Sequence, residues 1–494
     1  MTSDSESSNV LVSPPDRLRC DVVVIGSGPG GATTASKLAN AGLDVLLLEE
    51  GPFLPLSSCR PFSRDEMVQK YRSGGLTFAA GRPKVVYAEG RCVGGGSEIN
   101  SSLFHRTPPE ILEQWSREFR VERLKADDLA PYFAACEEAL NVGPVKGAPS
   151  PASLKLQEGA EQLGWKCLEA RRAFQYDTND AEQVQPRGTR QSMSTTFIPR
   201  ALSAGCRLLP DARVRSFAQR NGRWRLICEH LLHEKPKHRF EIEAENLFLS
   251  CGAVQTPALL RRSGIKKNVG NSLKLHPFIK LVARFAETVN YAGMGVPTHQ
   301  VREFAPRFSL GCSISSVPHL ALGLSEYPGH LPSLATDWPQ MAAYYAMTSA
   351  GNGTVRVLPG FRDPLVRYRL CPDDLADLAE GLRELCRLLF AAGAVELFPG
   401  IGATHQLHIT EDLSRLPPRL SRSASFLTTV HLFSTCPMGE EKNRCATDSF
   451  GQVHGFRNLY VADASLLCGP PGINPQGTIM AIAMRNADHF LSNR

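Results

Sequence analysis

No apolar run in this chain of 494 residues is long enough to cross a bilayer. The longest candidate, 385–397, is interrupted by Arg387 and Glu396, so the sequence gives no membrane span. The fourteen cysteines include no CxxC pair and keep no regular spacing, which excludes a disulfide scaffold and a zinc-ribbon site. Such scatter suits a reducing compartment, and a cytoplasmic location is expected. Charge of one sign is also lacking. Lysine and arginine exceed aspartate and glutamate by six (55 against 49), and the basic residues are dispersed, so nucleic acid is not the expected partner. Internal repeats are absent, and low-complexity sequence is confined to the polar, acidic opening MTSDSESSNVLVSPPDRLR. With no basic-then-apolar order, residues 1–18 read as a disordered lead-in rather than a targeting peptide.

What is present is a soluble, globular composition: 42% hydrophobic and 21% charged residues. At this length the chain should divide into more than one domain. The apolar strand CDVVVI (Cys20–Ile25) leads into Gly26-Ser27-Gly28-Pro29-Gly30-Gly31, which matches GxGxxG at Gly26, Gly28 and Gly31. An alanine-rich helix follows, then a second strand, 43–48, that ends at Glu49-Glu50. This is the dinucleotide-binding βαβ unit: glycines allow a tight turn and bring a pyrophosphate close to a helix N-terminus. Glu49 can accept hydrogen bonds from ribose hydroxyls, and its charge disfavours a 2′-phosphate, so NADP is not expected. This motif alone leaves FAD and NAD both open.

Residues 52–84 lack a clear period and contain four prolines, as a long loop or lid would. The segment Gly94-Gly95-Gly96-Ser97-Glu98-Ile99-Asn100 brings bare backbone close to a ligand, with Ser97 and Asn100 adding polar side chains. Arg207–Phe217 and Trp224–Glu229 read as strands joined by an Asn221-Gly222 turn, and the histidine-rich stretch 230–238 as a solvated turn. Another strand-to-helix step occurs at Ser250–Pro257. From His276-Pro277 onward, alternating runs such as IKLVARF describe a sheet-rich unit, with an amphipathic core helix over 373–392. In the last segment, a strand Leu459–Ala462 ends in Asp463-Ala464, and Asn474-Pro475 opens a helix with Asn474 as N-cap and Pro475 in the first turn. A helix N-terminus there would attract an anionic group.

Five stretches occur in the order found in the glucose–methanol–choline (GMC) oxidoreductase family, and together the chain resembles that family from about residue 19 onward. They are CDVVVIGSGPGGATTASKLANAGLDVLLLEEG, GRCVGGGSEINSSLFHRTP, LFLSCGAVQTPALLRRSGI, HLFSTCPMG and NLYVADASLLCGPPGINPQGTIMAIA. The resemblance implies an α/β fold: a Rossmann-like FAD-binding domain (19–275 plus 440–494) with an inserted antiparallel-sheet substrate domain (276–439). It implies FAD held by Gly26, Gly28 and Gly31 at the pyrophosphate and by Glu49 at the adenosine ribose. Gly94, Gly95, Gly96, Ser97 and Asn100 would pass along the flavin ring, and Val214 would meet adenine through its backbone. Asp463 and Ala464 would lie by the pyrophosphate and ribityl chain, with the helix at Pro475 aimed at the pyrimidine edge. Ile99 stands where some relatives carry a flavin-linked histidine, so FAD is expected to be non-covalent. His431 matches the family's proton acceptor and Asn474 its partner; His276, His405 and His408 are expected to be structural. No metal is expected. The activity implied is oxidation of a small-molecule alcohol, with hydride passing to flavin N5 and on to oxygen or another acceptor. The alternatives are an FAD-retaining lyase that cleaves cyanohydrins, or a flavoprotein without turnover.

Overall fold

A computed structural model describes residues 9–177, 188–402, 406–423 and 427–494. Taken along the chain, its site-forming elements are β1 (Arg17–Ile25), α1 (Pro29–Asn40), β2 (Val45–Leu48), β3 (Arg207–Leu209), β4 (Ala212–Arg220), β5 (Arg223–Leu232), β6 (Lys235–Leu249) and α2 (Gly252–Arg262). They continue with β7 (Phe278–Phe285), β8 (Met341–Thr348), α3 (Pro372–Ala391), β9 (Leu427–Thr429), β10 (Leu459–Val461) and α4 (Gln476–Ser492).

The first sheet has parallel strands in the order β3-β2-β1-β6-β10, and the antiparallel hairpin β5-β4 extends it from the lower half of β6. Val22, Val23 and Val24 of β1 and Val45, Leu46, Leu47 and Leu48 of β2 have no solvent exposure, because helices and loops cover both faces of a parallel sheet. The carboxyl ends of β1, β2, β6 and β10 therefore meet at one edge, where a doubly wound sheet binds its ligand. The second sheet has nine strands, with β9, β7 and β8 at its centre and α3 packed across it. It recruits Thr77–Ala79, Val85–Tyr87 and Cys167–Glu169 from chain that precedes residue 276.

Several local expectations need correction. Residues 9–11 are not a loose lead-in: Val10 bridges Leu208, and the Leu11 amide donates to the Leu208 carbonyl at 2.8 Å. Region 52–84 contains a helix, Arg64–Lys70, capped by the Ser63 hydroxyl on the Glu66 amide. The stretch 230–238 is mostly strand rather than solvated turn. β5 runs to Leu232 and β6 starts at Lys235, because alternating inward residues such as Phe240, Ile242 and Ala244 extend the pairing well below Glu245. No helix among the described residues is long and apolar enough to cross a membrane.

Candidate active site

The two sheets enclose a cavity of about 800 Å³. At one end the β1–α1 turn forms its wall. A Cβ on Gly31 would lie 1.9 Å from the Gly26 carbonyl oxygen, and one on Gly26 would lie 2.2 Å from the Ser250 carbonyl oxygen, so both glycines are required for strand–helix contact. A Cβ on Gly28 would meet nothing within 4 Å, because that Cα opens directly into the cavity. α1 starts without a side-chain cap and without an acidic residue in its first turn. α4 does the same at the far end. Both helix N-termini thus offer unpaired N–H groups and a positive dipole end to the same space.

Glu49 lies at this end, at the tip of β2. Its carboxylate accepts from the Ser27 amide (3.1 Å), the Ser27 hydroxyl (2.7 Å) and the Gly51 amide (2.9 Å). Burial raises its pKa against those three donors. Asp463, at the end of β10, is held in a similar way. One oxygen accepts from the Gly252 amide (2.9 Å) and the Thr256 hydroxyl (2.5 Å), and the other from the Ser465 amide (2.8 Å) and hydroxyl (2.5 Å). Its carboxylate ties α2 to β10, the two elements that flank the cavity floor.

The glycine-rich loop crosses in front of β1. Gly94 has φ +96°, and its amide donates to the Ser27 hydroxyl at 3.0 Å. Ser97 turns away from the cavity; its hydroxyl donates to the Gly94 carbonyl (2.7 Å) and accepts from the Met193 amide (3.0 Å). Gly31, Gly94 and Ser97 therefore hold the wall from behind. Gly26, Gly28, Glu49, Gly95, Gly96, Asn100, Val214, Asp463, Ala464, Pro475, Asn474 and His431 reach the cavity surface. Asn100 donates to the Gln476 side chain, which joins the glycine loop to the start of α4.

At the other end His431 follows β9. Its amide donates to the Thr429 hydroxyl at 3.1 Å, and that hydroxyl is within 3.1 Å of the His431 carbonyl, so the backbone is fixed. The ring is enclosed: Nε2 lies 3.3 Å from Asn474 Nδ2, and Nδ1 lies 3.1 Å from His276 Nδ1. Asn474 does not cap α4. The cap position falls on Pro475, because the Asn474 side chain is drawn to His431 and to Gln300 instead. Gln300 Nε2 donates to Asn474 Oδ1 at 3.2 Å, which leaves the Asn474 NH₂ to donate to His431 Nε2. With the amides in these orientations His431 is neutral, unprotonated at Nε2, and donates Nδ1–H to His276, whose own Nε2 is buried without a partner among the described residues.

His276 is fully buried and does not line the cavity, as expected of a structural residue, but its contact with His431 was not expected from sequence. The antiparallel pairing of Lys274 with Phe433 and Leu275 with Leu432 brings it opposite His431. Gln300 and His105, which interact through their side chains, were also missed. They come from segments that carry no motif. Burial, reinforced by the His105 imidazole, pulls His431 down to about 3. His276 falls well below its ordinary value through burial and the neighbouring His431. His408 is half exposed near Glu396, away from the cavity lining, and His405 lies outside the described residues.

A doubly wound sheet with a glycine turn, a second sheet over its carboxyl edge and a histidine–asparagine pair in the cleft between them defines a flavin-dependent oxidoreductase. Residues 67–278 match the N-terminal and residues 351–483 the C-terminal GMC oxidoreductase domain, and residues 24–82 match an NAD(P)-binding Rossmann-like domain. An uncharacterised GMC-type oxidoreductase of Sinorhizobium fredii is 39% identical over 97% of this chain and 95% of its own length. A long-chain-alcohol oxidase of Arabidopsis thaliana is 24% identical over 94% of this chain and 67% of its own length. The fold is also that of formate oxidase from Aspergillus oryzae, with a TM-score of 0.74, 16% identity, and 97% and 99% of the two chains covered. The chain belongs to the GMC oxidoreductase family, and its cofactor is FAD. The residues present fit that group, since an open Gly28 and two uncapped helix N-termini suit a diphosphate and an electron-rich ring.

Proposed function

We propose that the protein oxidises the CH–OH group of an alcohol, with His431 as the base that takes the hydroxyl proton. The observation that carries this is the His431 Nε2–Asn474 Nδ2 pair on the wall of the nucleotide cavity. Both groups line the cavity, and an alcohol oxygen bound in front of them would accept from Asn474 and donate to Nε2 in place of their mutual 3.3 Å contact. Asn474 would hold the developing alkoxide without competing for its proton, and Gln300 would keep the Asn474 amide turned the right way. His276 would hold the His431 tautomer by accepting Nδ1–H. FAD, when bound, supplies the hydride acceptor. Gly28 and the start of α1 would hold its diphosphate, Glu49 and Val214 its adenosine end, and the glycine loop with Asp463, Ala464 and Pro475 its ring and ribityl chain.

The similarity to a long-chain-alcohol oxidase supports alcohol as the substrate class. The apolar side chain of Ile99 on the cavity surface supports non-covalent FAD, which acid precipitation would release into the supernatant. The scattered cysteines support a reducing, cytoplasmic setting. Oxygen or another acceptor would reoxidise the cofactor. Anaerobic mixing with a panel of alcohols should bleach the flavin absorbance. His431→Ala should slow bleaching roughly a hundredfold or more while FAD stays bound. Bleaching by no alcohol, or an unaffected variant, would refute this function.

A further inference from the structure

Lys280 lies on β7, two residues beyond Phe278, whose ring packs 5.6 Å from the His431 ring. Alternation along a strand puts Phe278 and Lys280 on one face, roughly 7 Å apart. Both line the cavity, beside His431. In register opposite Lys280 is Tyr345, which also lines the cavity and packs against Phe278 at 5.1 Å.

The ammonium group has no carboxylate partner among the described residues. Glu49, Glu50, Glu89, Asp363 and Asp463 line the nucleotide end and are tied there by Arg72, Arg213, Ser27 or Thr256, apart from Asp363. Glu326 also reaches the cavity surface, but it is exposed and does not pair with Lys280. Across from the lysine stands His319, whose Nδ1 is engaged by the Ser316 hydroxyl at 2.7 Å, so this wall carries no negative charge of its own. Burial alone moves Lys280 down, to about 8, which still leaves it mostly protonated at neutral pH. A purely apolar alcohol filling this space would strip water from a cation and give it nothing in return. An anionic group would restore the lost solvation through a charge-assisted hydrogen bond.

We propose that Lys280 is the counter-ion of an anionic substrate: an alcohol that carries a carboxylate, or a phosphate in its place, a few carbons from the carbinol. This names the substrate class for the same site and rests on the reading of His431 as the base.

The test is calorimetric titration of the oxidised holoenzyme with short n-alkanoates, propanoate to octanoate, and with the matching primary amides. None of these can be oxidised at a carbinol, so turnover is not needed. At least one alkanoate should bind about tenfold or more tighter than its amide. Lys280→Met should erase that preference with flavin content unchanged, and Lys280→Arg should retain it. An n-alkyl phosphate series distinguishes which anion the site prefers. Equal binding of acid and amide, no binding of either, or a preference that survives Lys280→Met would overturn the assignment. Those results leave the alcohol oxidation itself untouched, because flavin bleaching by alcohols and its loss in His431→Ala decide that separately.

Discussion

The acid side of the pH profile should be flat where a histidine-catalysed reaction normally falls. An ordinary histidine ionises near 6.5, so at pH 5 only about 3% is neutral and a rate that needs the neutral ring drops roughly thirtyfold. His431 is enclosed by His276, Phe278 and Asn474, and burial with the adjacent His105 holds it at about 3. At pH 5 about 99% of it remains neutral. Anaerobic stopped-flow bleaching at saturating alcohol should therefore be constant between pH 7 and pH 5, with retained flavin monitored alongside. An apparent ionisation between pH 6 and 7 in the bleaching rate would refute the argument. The same burial has a stability consequence. Because the folded value lies below the unfolded one, the unfolded chain binds more protons between them. Stability from this group is complete above about 6.5 and is lost as pH falls toward 3, by about 1.4 kcal/mol per unit. At pH 5 that is on the order of 2 kcal/mol, and His105 and His319, each lowered to about 4, act in the same direction. Acid should thus unfold the enzyme before it protonates the base.

Four further substitutions separate structural from chemical roles. Gly31→Ala forces a Cβ to within 1.9 Å of the Gly26 carbonyl, and the melting temperature should fall by an amount matching about 2 kcal/mol or more, with flavin lost. Gly28→Ala meets no protein atom, so it should keep the melting temperature of the apoprotein and weaken FAD alone, read from flavin occupancy. His276→Phe keeps the ring packing against Phe433 but removes the acceptor for His431 Nδ1–H, so bleaching should slow about tenfold to a hundredfold with FAD retained. Partial rescue in His276→Gln would support an acceptor role, whereas equal loss in both variants would point to packing.

The nucleotide half was readable because its information is local. β1, the glycine turn, α1 and β2 follow one another directly, and each betrays itself by period or by glycine spacing. The polar run 230–238 misled because charged residues in a long hairpin face solvent on one side while the other side is buried. Its composition describes the outer face, and only the register of β5 against β6 reveals the inner one.

The end of the cavity at His431 was only half readable for a related reason. His431 and Asn474 lie beside recognisable motifs, but their surroundings are assembled by pairings between distant strands. His276 reaches His431 across 155 residues, and Gln300 reaches Asn474 across 174. Lys280 shows the same limit most sharply: in IKLVARF a lysine alternating with apolar residues reads as the solvated side of a strand. That side instead faces the cavity between the two sheets, because β7 sits in the middle of its sheet with α3 against the opposite surface. The polar pattern of a strand reports that something other than core lies over that face. Whether it is water or substrate depends on what the rest of the chain builds above it.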